Sequence, residues 1–560
     1  MDAIASESPM SKPPDDAAQY LANLFAAHPA DAFKASLASL AELQQDYLKQ
    51  IGSFWQGVLG VASPAESADG SLPKDDKRFS GDAWRSIPGL DQLTGHYLSY
   101  CNVLQEYVDT AAVDEKVKGQ MRFALRQLND AVSPANFFAT NPEAMKLAVE
   151  TGGQSVADGL SLFFKDLAKG RISMCDDAAF EVGKNLAVTA GAVIFENELI
   201  QVIQYAPRTA RVGTRPLVVI PPAINKFYIL DLQPQNSFVR YAVEQGQTVF
   251  LVSWRNVTPD LGQLTWDDYL EKGVMRAIDA ALEVSGADQV NSLGFCVGGT
   301  LLACALAVMK ARGDDKVTSL TLLTSMLDFS DSGEIGLLVS EQSVASRESS
   351  IGRGGLLQGK ELALVFSSLR ANDLIWPYVV NSYLKGKGPP AFDLLHWNSD
   401  GTNLPGPMFC WYVRNTYLEN NFKEPGKTTQ CGVPVDLSTV NVPAYLYASR
   451  EDHIVPWRSA YNSTQLLGGK STFVLGASGH IAGVINPPAN KKRNYWSDGL
   501  PGASAESWLS TARSVPGSWW PHWMTWLKSW GGSEVPAREV LGNEKYRVIE
   551  PAPGRYVKAT

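Results

Sequence analysis

The sequence predicts an α/β fold preceded by a mostly helical region. Apolar residues recur at three- and four-residue intervals up to about Gly170, and short β-rich runs alternate with helical stretches from about Val188 onward. Hydrophobic residues make up 45 % of the chain and charged residues 19 %, a balance typical of globular proteins. Strands that alternate with helices indicate a mostly parallel sheet with helices on both faces.

The chain divides into a tail and two predicted domains, because 560 residues exceed one ordinary domain. Residues 1–16 are rich in Ser, Pro and Asp and predict a disordered tail. Residues 17–185 predict a helical N-terminal domain, and residues 186–560 predict the catalytic domain. Within the latter, the alternation lapses over about 330–440, which is too long for a simple connection. We interpret that stretch as a cap inserted over the active site.

The β-rich runs can be followed along the second domain. The pattern predicts a hairpin over 192–205, and it predicts a helix over 265–286. Buried strands are predicted within six further stretches: 215–225, 247–256, 289–295, 316–329, 442–452 and 471–480.

Charge, targeting signals and cysteine spacing exclude several classes of protein. A net charge of -9 without a long basic tract argues against a nucleic-acid binder. No basic segment leads into an apolar run at the start, and no stretch of about 18 apolar residues follows, so we expect a cytoplasmic protein. The six cysteines lie far apart without Cys-x-x-Cys spacing, which predicts reduced thiols rather than a zinc site or a disulfide framework.

The predicted strand over 289–295 runs into the turn Gly-Phe-Cys-Val-Gly, which begins at Gly294 and leads into a long apolar helix pattern. Such a turn leaves its central side chain standing above the sheet edge, and it is the nucleophile elbow of the α/β-hydrolase fold. The helix N-terminus beneath it favours a thiolate and an oxyanion. We therefore predict this fold, with Cys296 as the nucleophile rather than a small buried hydrophobe.

The partners of Cys296 follow from the order of the triad along the chain. In this fold the acid and then the base come after the nucleophile, on loops that follow later strands. That order selects Asp452 and His480. Three alternatives stay open: His453 as the base, Glu451 as the acid, and Asp452 as the cap of the following helix.

An oxyanion hole requires two N–H donors near the nucleophile. The residue after Cys296, Val297, supplies one, and the loop after the strand in 215–225 should supply the other. Pro221 and Pro222 cannot donate, so Ile224 is the first candidate and Ala223 the next. The alternative is that this proline-rich segment is simply a rigid turn.

A cysteine at the elbow has a chemical consequence. The acyl-enzyme is then itself a thioester, so an acyl group from a thioester donor can be transferred reversibly and kept activated for another acceptor. Cys296 therefore points to acyl transfer from a thioester rather than to plain hydrolysis.

Several long motifs resemble the polyhydroxyalkanoate synthases, especially the single-subunit type that acts on short-chain substrates. They are "GFCVGGT" at the turn, "IPPAINKFYILDLQPQNSFVRYAVEQGQTVFLVSWRN" before it, "FDLLHWNSDGTNLPGPMFCWY" in the cap, "SREDHIVPW" and "GASGHIAGVINPP". They occur in the order of the family, and the resemblance runs from about residue 85 to the C-terminus.

The resemblance implies a function and a site. The nucleophile, aspartate and histidine of the family fall on Cys296, Asp452 and His480. The implied reaction polymerises (R)-3-hydroxyacyl-CoA, most specifically 3-hydroxybutyryl-CoA, into polyester with release of CoA. No metal or prosthetic group is implied, since the CoA thioester is the substrate. The family implies a homodimer in the cytoplasm at the surface of polyester granules, where granule-associated proteins are further partners.

Two other functions remain open at this point. One is a Cys-dependent acyl-CoA thioesterase or ester hydrolase on the same fold, since the triad alone does not decide between water and a hydroxyl as the acceptor. The other is a non-enzymatic interaction protein of the granule surface. The Trp-rich segment from Trp519 could contact polymer, although large aromatic residues more often pack in cores.

Overall fold

A mixed sheet of eleven strands organises the part of the chain that the structure describes. The structure is a computed structural model, and it describes residues 76–87 and 89–559. The predicted tail over 1–16 and the helical pattern up to residue 75 lie outside the described residues. Within the described ranges, no helix has the length and apolar character that crossing a membrane requires.

The strands are numbered in chain order: β1 Gly191–Glu196, β2 Ile200–Tyr205, β3 Arg211–Gly213, β4 Leu217–Ile220, β5 Val249–Trp254, β6 Val290–Phe295, β7 Val317–Leu323, β8 Leu356–Leu357, β9 Leu404–Pro405, β10 Thr429–Gln430, β11 Val433–Pro434, β12 Ala444–Ser449, β13 Ser471–Gly476, β14 Asn494–Ser497, β15 Arg513–Pro516, β16 Glu534–Pro536 and β17 Glu550–Pro551.

The α-helices are numbered in the same way: α1 Ala83–Ser86, α2 Leu90–Thr110, α3 Glu115–Ala131, α4 Pro142–Glu150, α5 Gln154–Lys169, α6 Phe238–Glu244, α7 Trp266–Asp268, α8 Arg276–Ser285, α9 Val297–Ala311, α10 Gly333–Leu337, α11 Glu341–Ser350, α12 Gly359–Leu369, α13 Ala371–Leu374, α14 Trp376–Tyr378, α15 Asp393–Asn398, α16 Gly406–Val413, α17 Trp457–Asn462, α18 His480–Val484, α19 Ala505–Thr511 and α20 Trp520–Lys528. Three π-helical segments extend or join them: Tyr269–Met275, Val379–Leu384 and Arg414–Leu418.

The centre of the large sheet is parallel and its edges are antiparallel. The strand order is β15-β14-β13-β12-β7-β6-β4-β5-β2-β1-β17. The strands from β13 through β5 in this order pair in parallel. The pairs outside them are antiparallel, including the predicted hairpin of β1 and β2. The six predicted buried strands thus form the parallel centre of the sheet, but the whole sheet is mixed, because half of its ten strand pairs are antiparallel.

Both faces of this sheet are covered by packed apolar side chains. In β4, Val218 and Ile220 belong to one core cluster, whereas Leu217 and Val219 belong to the other. Successive side chains of a strand point to opposite faces, so the two clusters lie on opposite sides of the sheet. Strands covered on both faces read as near-continuous apolar runs, which is why their positions were visible in the sequence.

One helix on each face shows how the sequence sets this packing. Helix α9 is apolar on all sides, and its residues from Val297 to Met309 are buried in the first cluster. Helix α20 lies in the second cluster, where Trp519, Trp520 and Trp523 are at most 1 % exposed. The interpretation of the Trp-rich segment as a packed helix is therefore confirmed.

The sequence analysis did not predict several short strands and one interruption of a helix. Strands β3, β15, β16 and β17 were not predicted, because they are edge strands of two to four residues that carry charged residues or Pro. Strand β14 lies between β13 and β15 and was also missed, because four residues are too few for a periodic pattern. The helical pattern over 142–170 is interrupted between α4 and α5. Gly152 and Gly153 have φ values of 58° and 89° there, and this left-handed backbone ends the first helix.

By their internal contacts, the described residues form two compact units. The first comprises the residues up to Thr110 and Val132–Leu147, and its small core contains Phe79, Trp84 and Tyr97. The second comprises Ala111–Ala131 and the described chain from Ala148 onward, and it includes the large sheet. The predicted boundary near residue 185 stays a prediction.

The predicted cap region over about 330–440 is mostly helical and contains α10 to α16. Two small antiparallel pairs, β8 with β9 and β10 with β11, lie within it. The rest of the α/β alternation continues on either side of this stretch, with β7 before it and β12 after it. Since β7 and β12 are neighbours in the sheet, the cap residues form an insertion between two adjacent strands.

Replacement of two helical glycines by alanine should change the free energy of unfolding in opposite directions. A Cβ at Gly159 in α5 would lie 2.2 Å from the Tyr383 carbonyl oxygen, whereas a Cβ at Gly95 in α2 meets nothing within 4 Å. We expect Gly159→Ala to lower the free energy of unfolding by about 1–3 kcal/mol, because α5 must move away from the backbone it packs on. Gly95→Ala should raise it by about 0.5–1 kcal/mol. Urea denaturation measures both, and equal effects of the two variants would contradict this packing.

Candidate active site

The loops that carry the predicted site residues meet at one edge of the sheet. Parallel strands present their carboxyl ends to the same edge, which is where sites of open α/β sheets lie. The relevant strands β4, β6, β7, β12 and β13 end there at Ile220, Phe295, Leu323, Ser449 and Gly476.

Cys296 occupies the turn between β6 and α9 in a strained backbone conformation. Its φ is 55° and its ψ is -130°, values that a residue with a side chain rarely adopts. Neighbouring bonds hold it there: its N–H donates to the Leu323 carbonyl at 2.9 Å, and its own carbonyl accepts from the Ser325 hydroxyl at 2.9 Å. The thiol is consequently displayed at the start of the helix, as the elbow motif predicts.

Gly298 allows the start of α9 to lie against the end of β4. A Cβ at this position would be 2.4 Å from the Ile220 carbonyl oxygen and 2.6 Å from that of Pro221. A side chain there would force the helix away from the strand. The glycine therefore keeps the first N–H of α9, that of Val297, close to the loop that begins at Pro221.

His480 and Asp452 form a buried pair. The distance between His480 Nδ1 and Asp452 Oδ2 is 2.6 Å, and the two side chains are 6 % and 0 % exposed. The other carboxylate oxygen, Oδ1, accepts from the N–H groups of Ile454 and Val455 at 2.8 and 2.9 Å. The carboxylate is thus fixed by its own turn and orients the imidazole.

The alternatives to Asp452 take other positions. Glu451 is exposed, and its backbone N–H donates to the Ser478 carbonyl at 3.0 Å. Helix α17 begins at Trp457 with Pro456 as its N-cap, so Asp452 closes a turn ahead of this helix and does not cap it.

The charge state of His480 depends on both of its partners. Burial by itself would lower the pKa of His480, but the negative charges of Asp452 and Cys296, together with hydrogen bonds to both side chains, raise it to about 10. The thiol, the imidazole and the carboxylate therefore interact in sequence. The protonated form of His480 is thus stabilised from both sides.

His453 has a different environment from its competitor. Burial and the nearby charge of His480 lower the pKa of His453 to about 4, against a smaller opposite effect of Asp452. Its Nδ1 is buried and has no hydrogen-bond partner among the residues that the structure describes. The structure thus brings His480, and not His453, into contact with the acid.

The helix that begins at His480 is anchored by aromatic side chains of the core. Tyr447 donates its hydroxyl to the Gly483 carbonyl at 2.8 Å, and the Trp519 indole donates to the same oxygen at 3.2 Å. The Trp520 indole donates to the Val484 carbonyl at 2.9 Å. The Trp-rich segment therefore fixes α18 and, with it, the position of the imidazole.

The loop after β4 presents the N–H groups expected for an oxyanion hole. Ala223 is buried and Ile224 is half-buried. Across residues 76–87 and 89–559, no group accepts a hydrogen bond from the N–H of Ala223, Ile224 or Val297. Since buried N–H groups are rarely left unpaired, these donors are available to a ligand. The choice between Ile224 and Ala223 stays a prediction.

A buried lysine in the same loop contacts the C-terminal segment and the cap. The Lys226 side chain is 1 % exposed, and its ammonium donates to the Val557 carbonyl at 3.0 Å and also to the Ala559 carbonyl. The Asp400 carboxylate lies 3.7 Å from it. Burial lowers the pKa of Lys226, and the charge of Asp400 opposes this effect.

Two cap tyrosines near the thiol were missed by the sequence analysis. Burial raises the pKa of Tyr412 and of Tyr417, and the negative charge of Cys296 adds to the rise at both hydroxyls. Their rings contact each other and that of Phe329 at centroid distances of 4.9–6.1 Å. The aromatic motif "FCWYVRNTY" is visible in the sequence, but only the fold brings Tyr412 and Tyr417 within electrostatic reach of Cys296.

Among the described residues, no group of three or more His, Cys, Asp or Glu side chains could hold a metal ion. The site residues instead form a thiol, an imidazole, a carboxylate and free backbone donors. This set can form and break an acyl bond to sulfur while holding the charge that develops on oxygen.

Asp452→Asn should lower the pKa of His480 from about 10 toward the ordinary value near 6.5, because the largest effect that raises it is the charge of Asp452. A histidine with a raised pKa stabilises the fold fully below about pH 6.5, and this contribution is lost as the pH rises through its folded value. The variant should therefore lose stability below about pH 10 relative to wild type. NMR titration of ¹⁵N-histidine measures the pKa. His522, whose pKa is lowered by burial and does not depend on Asp452, is the internal reference. An unchanged His480 pKa would contradict the assignment.

Two family models match this chain. Residues 75–242 match the N-terminal region of poly-beta-hydroxybutyrate polymerase (PhaC), and residues 216–487 match the alpha/beta hydrolase fold. The second match contains Cys296, Asp452 and His480. The predicted α/β-hydrolase fold is therefore confirmed.

The chain is also similar to curated proteins over most of its length. It is 53 % identical to the poly(3-hydroxyalkanoate) polymerase subunit PhaC of Cupriavidus necator, over 94 % of this chain and 89 % of that protein. It is 40 % identical to the protein of that name from Rhizobium meliloti, over 92 % and 85 %. It is 42 % identical to the poly(3-hydroxyalkanoate) polymerase of Methylorubrum extorquens, over 87 % and 81 %. With its fold and its elbow, the chain thus belongs to the poly(3-hydroxyalkanoate) polymerase family, acyltransferase-type enzymes built on a hydrolase fold.

Proposed function

We propose that this enzyme polymerises (R)-3-hydroxyacyl-CoA, most specifically (R)-3-hydroxybutyryl-CoA, through an acyl thioester on Cys296. The observation that carries the proposal is the strained Cys296 at the start of α9, coupled to the buried pair of His480 and Asp452. Membership of a family whose curated members are called poly(3-hydroxyalkanoate) polymerases supports the polyester product.

Acylation begins when His480 takes the thiol proton of Cys296. The thiolate attacks the carbonyl carbon of the acyl-CoA, and the resulting oxyanion accepts hydrogen bonds from the N–H groups of Val297 and Ile224. Collapse of this intermediate breaks the bond between the carbonyl carbon and the CoA sulfur. CoA leaves with the proton that His480 returns, and the acyl group remains on Cys296.

Elongation uses the same site with an alcohol as the nucleophile. The hydroxyl of a 3-hydroxyacyl unit or of the growing chain loses its proton and attacks the acyl thioester, which forms an ester and releases the Cys296 thiolate. His480 is the base, alone or with help from Asp452. The buried carboxylate stabilises the imidazolium that forms when the proton arrives.

The cap supports transfer to an alcohol rather than to water. Tyr412 and Tyr417 lie within electrostatic reach of Cys296 and, with Phe329 packed on them, form an aromatic wall; Tyr412 and Phe329 are at most 8 % exposed. Such a wall lowers the water concentration at the acyl thioester and offers apolar surface to a polyester chain. A thioesterase or ester hydrolase on the same fold would need ready access for water.

The assembly and location belong to the same proposal. We assign the enzyme to the cytoplasm, at the surface of the polyester granules that it produces, as a homodimer that granule-associated proteins can join. No metal or prosthetic group takes part in the proposed steps, since every proton and acyl transfer uses groups of the chain or of the substrate.

Cys296→Ala should lower the rate of CoA release from (R)-3-hydroxybutyryl-CoA by at least about 10³-fold, because no other group can carry the acyl chain. Cys431→Ala is the matched control: Cys431 is also half-buried with a positive φ of 51°, but burial raises the pKa of its thiol to about 12. It should retain wild-type activity. CoA release is measured with a thiol reagent, and the products are separated by size.

The products decide between the candidate functions. High-molecular-weight polyester that depends on Cys296 supports the polymerase. Free 3-hydroxybutyrate would instead identify a hydrolase, and full activity of Cys296→Ala would overturn the covalent mechanism. Absence of CoA release by wild type would overturn the proposed substrate.

A further inference from the structure

We propose that Thr402 of the cap is a positioning residue that orients the peptide group donating the second hydrogen bond to the oxyanion. The inference rests on the proposed function, in which the Ile224 N–H is that donor. It assigns to the cap a role in assembling the catalytic centre, beyond covering it.

The hydroxyl of Thr402 contacts the donor peptide directly. Its Oγ1 donates to the Ala223 carbonyl oxygen at 2.5 Å, and Thr402 is 1 % exposed. The Ala223 carbonyl and the Ile224 N–H belong to one planar peptide group, in which they point in opposite directions. A bond that fixes the carbonyl direction therefore fixes the direction of the N–H.

A second bond fixes the next peptide. The backbone N–H of Thr402 donates to the Ile224 carbonyl at 2.8 Å, and Asn225 pairs with Gly401 in an isolated antiparallel bridge. The loop and the cap segment thus run side by side like two short strands. The peptides on both sides of the Ile224 α-carbon are held by the same threonine.

The surrounding contacts join the same two segments. The Trp397 indole donates to the Lys226 carbonyl at 2.7 Å, and the Tyr228 hydroxyl donates to Asp400 at 2.9 Å. The carboxylate of Asp400 also faces the buried ammonium of Lys226 at 3.7 Å. Trp397 and Asp400 belong to the cap, whereas Lys226 and Tyr228 follow β4, so the Thr402 contacts lie within a larger joint.

The loop depends on this joint because it can hold itself only weakly. Pro221 and Pro222 have no N–H to donate, and the Pro221 carbonyl is occupied by the Trp254 indole at 2.9 Å. Hydrogen bonding to a peptide carbonyl also strengthens its N–H as a donor, since neighbouring hydrogen bonds polarise one another. Thr402 therefore both aims and strengthens the Ile224 donor.

A functional consequence follows for the cap. The donor is aligned only while the segment around Thr402 is docked on the loop after β4. Displacement of that segment would leave the Cys296 thiol, His480 and Asp452 in place but would misalign one of the two oxyanion donors. Cap docking and catalytic competence are thereby linked through one side chain.

The test compares Thr402→Val, which keeps the shape and removes the hydroxyl, with Thr402→Ser, which restores it. For CoA release, Thr402→Val should lower kcat by about ten- to a hundredfold, somewhat less than loss of a whole oxyanion donor. KM should change less than threefold, and Thr402→Ser should recover most of the lost rate. Thr94→Val is the matched control: Thr94 is also a buried threonine, and its hydroxyl donates to the Leu90 carbonyl at 2.8 Å.

A structural role alone would not produce this pattern. If Thr402→Val kept wild-type kcat, or raised KM alone, the proposal would be wrong; failure of Thr402→Ser to recover the rate would equally overturn it. If Thr402→Val fails to fold, Asp400→Asn weakens the same joint at its charged contact and should lower kcat in the same direction, and an unchanged kcat would count against the proposal. A wild-type enzyme that releases no CoA would overturn the proposed substrate and, with it, the proposed function, a result distinct from these.

Discussion

The close approach of α9 to the carboxyl ends of β4 and β6 is the constraint on which the rest of the site depends. A Cβ at Gly294 would lie 2.4 Å from the Gly299 α-carbon, and one at Gly298 would lie 2.4 Å from the Ile220 carbonyl oxygen. These contacts force Cys296 into the left-handed region, at a cost of about 1–3 kcal/mol that the packed surroundings must offset. In return, one helix start displays the thiol and directs the Val297 N–H toward the same space.

Electrostatics then links this rigid turn to two other loops of the sheet edge. A carboxylate without exposed surface would destabilise the fold if it stood alone, but Asp452 accepts two backbone N–H groups and the imidazole of His480. Asp452 and Cys296 both raise the pKa of His480, so its imidazole interacts with the carboxylate and with the sulfur. The indoles of the Trp-rich segment donate hydrogen bonds to α18 and fix its position. The imidazole of His480, at the start of this helix, is therefore held close to Asp452 and Cys296.

The sequence predicted those parts of the molecule that depend on local spacing. The parallel strands appear as apolar runs, and the elbow, Asp452 and His480 follow from the order of residues after strands. The roles of three cap residues, Tyr412, Tyr417 and Thr402, could not be predicted. Their relation to Cys296 arises only when the insertion between β7 and β12 folds back over the sheet edge. The edge strands were not predicted for another reason: Pro and charged residues in strands of two to four residues leave no periodic pattern of apolar residues.

The buried Lys226 makes the catalytic loop depend on a segment that is distant in the chain. Its ammonium donates to the Val557 carbonyl, and the two residues are 331 positions apart in the chain. Without the carbonyls of Val557 and Ala559, the Asp400 carboxylate at 3.7 Å is the partner left to this ammonium. Strand β17, Glu550–Pro551, pairs with β1 at one edge of the sheet and shortly precedes Val557 in the chain. The support of the catalytic loop is therefore built from segments far apart in the chain, and it requires residues 557–559 to pack against the loop after β4.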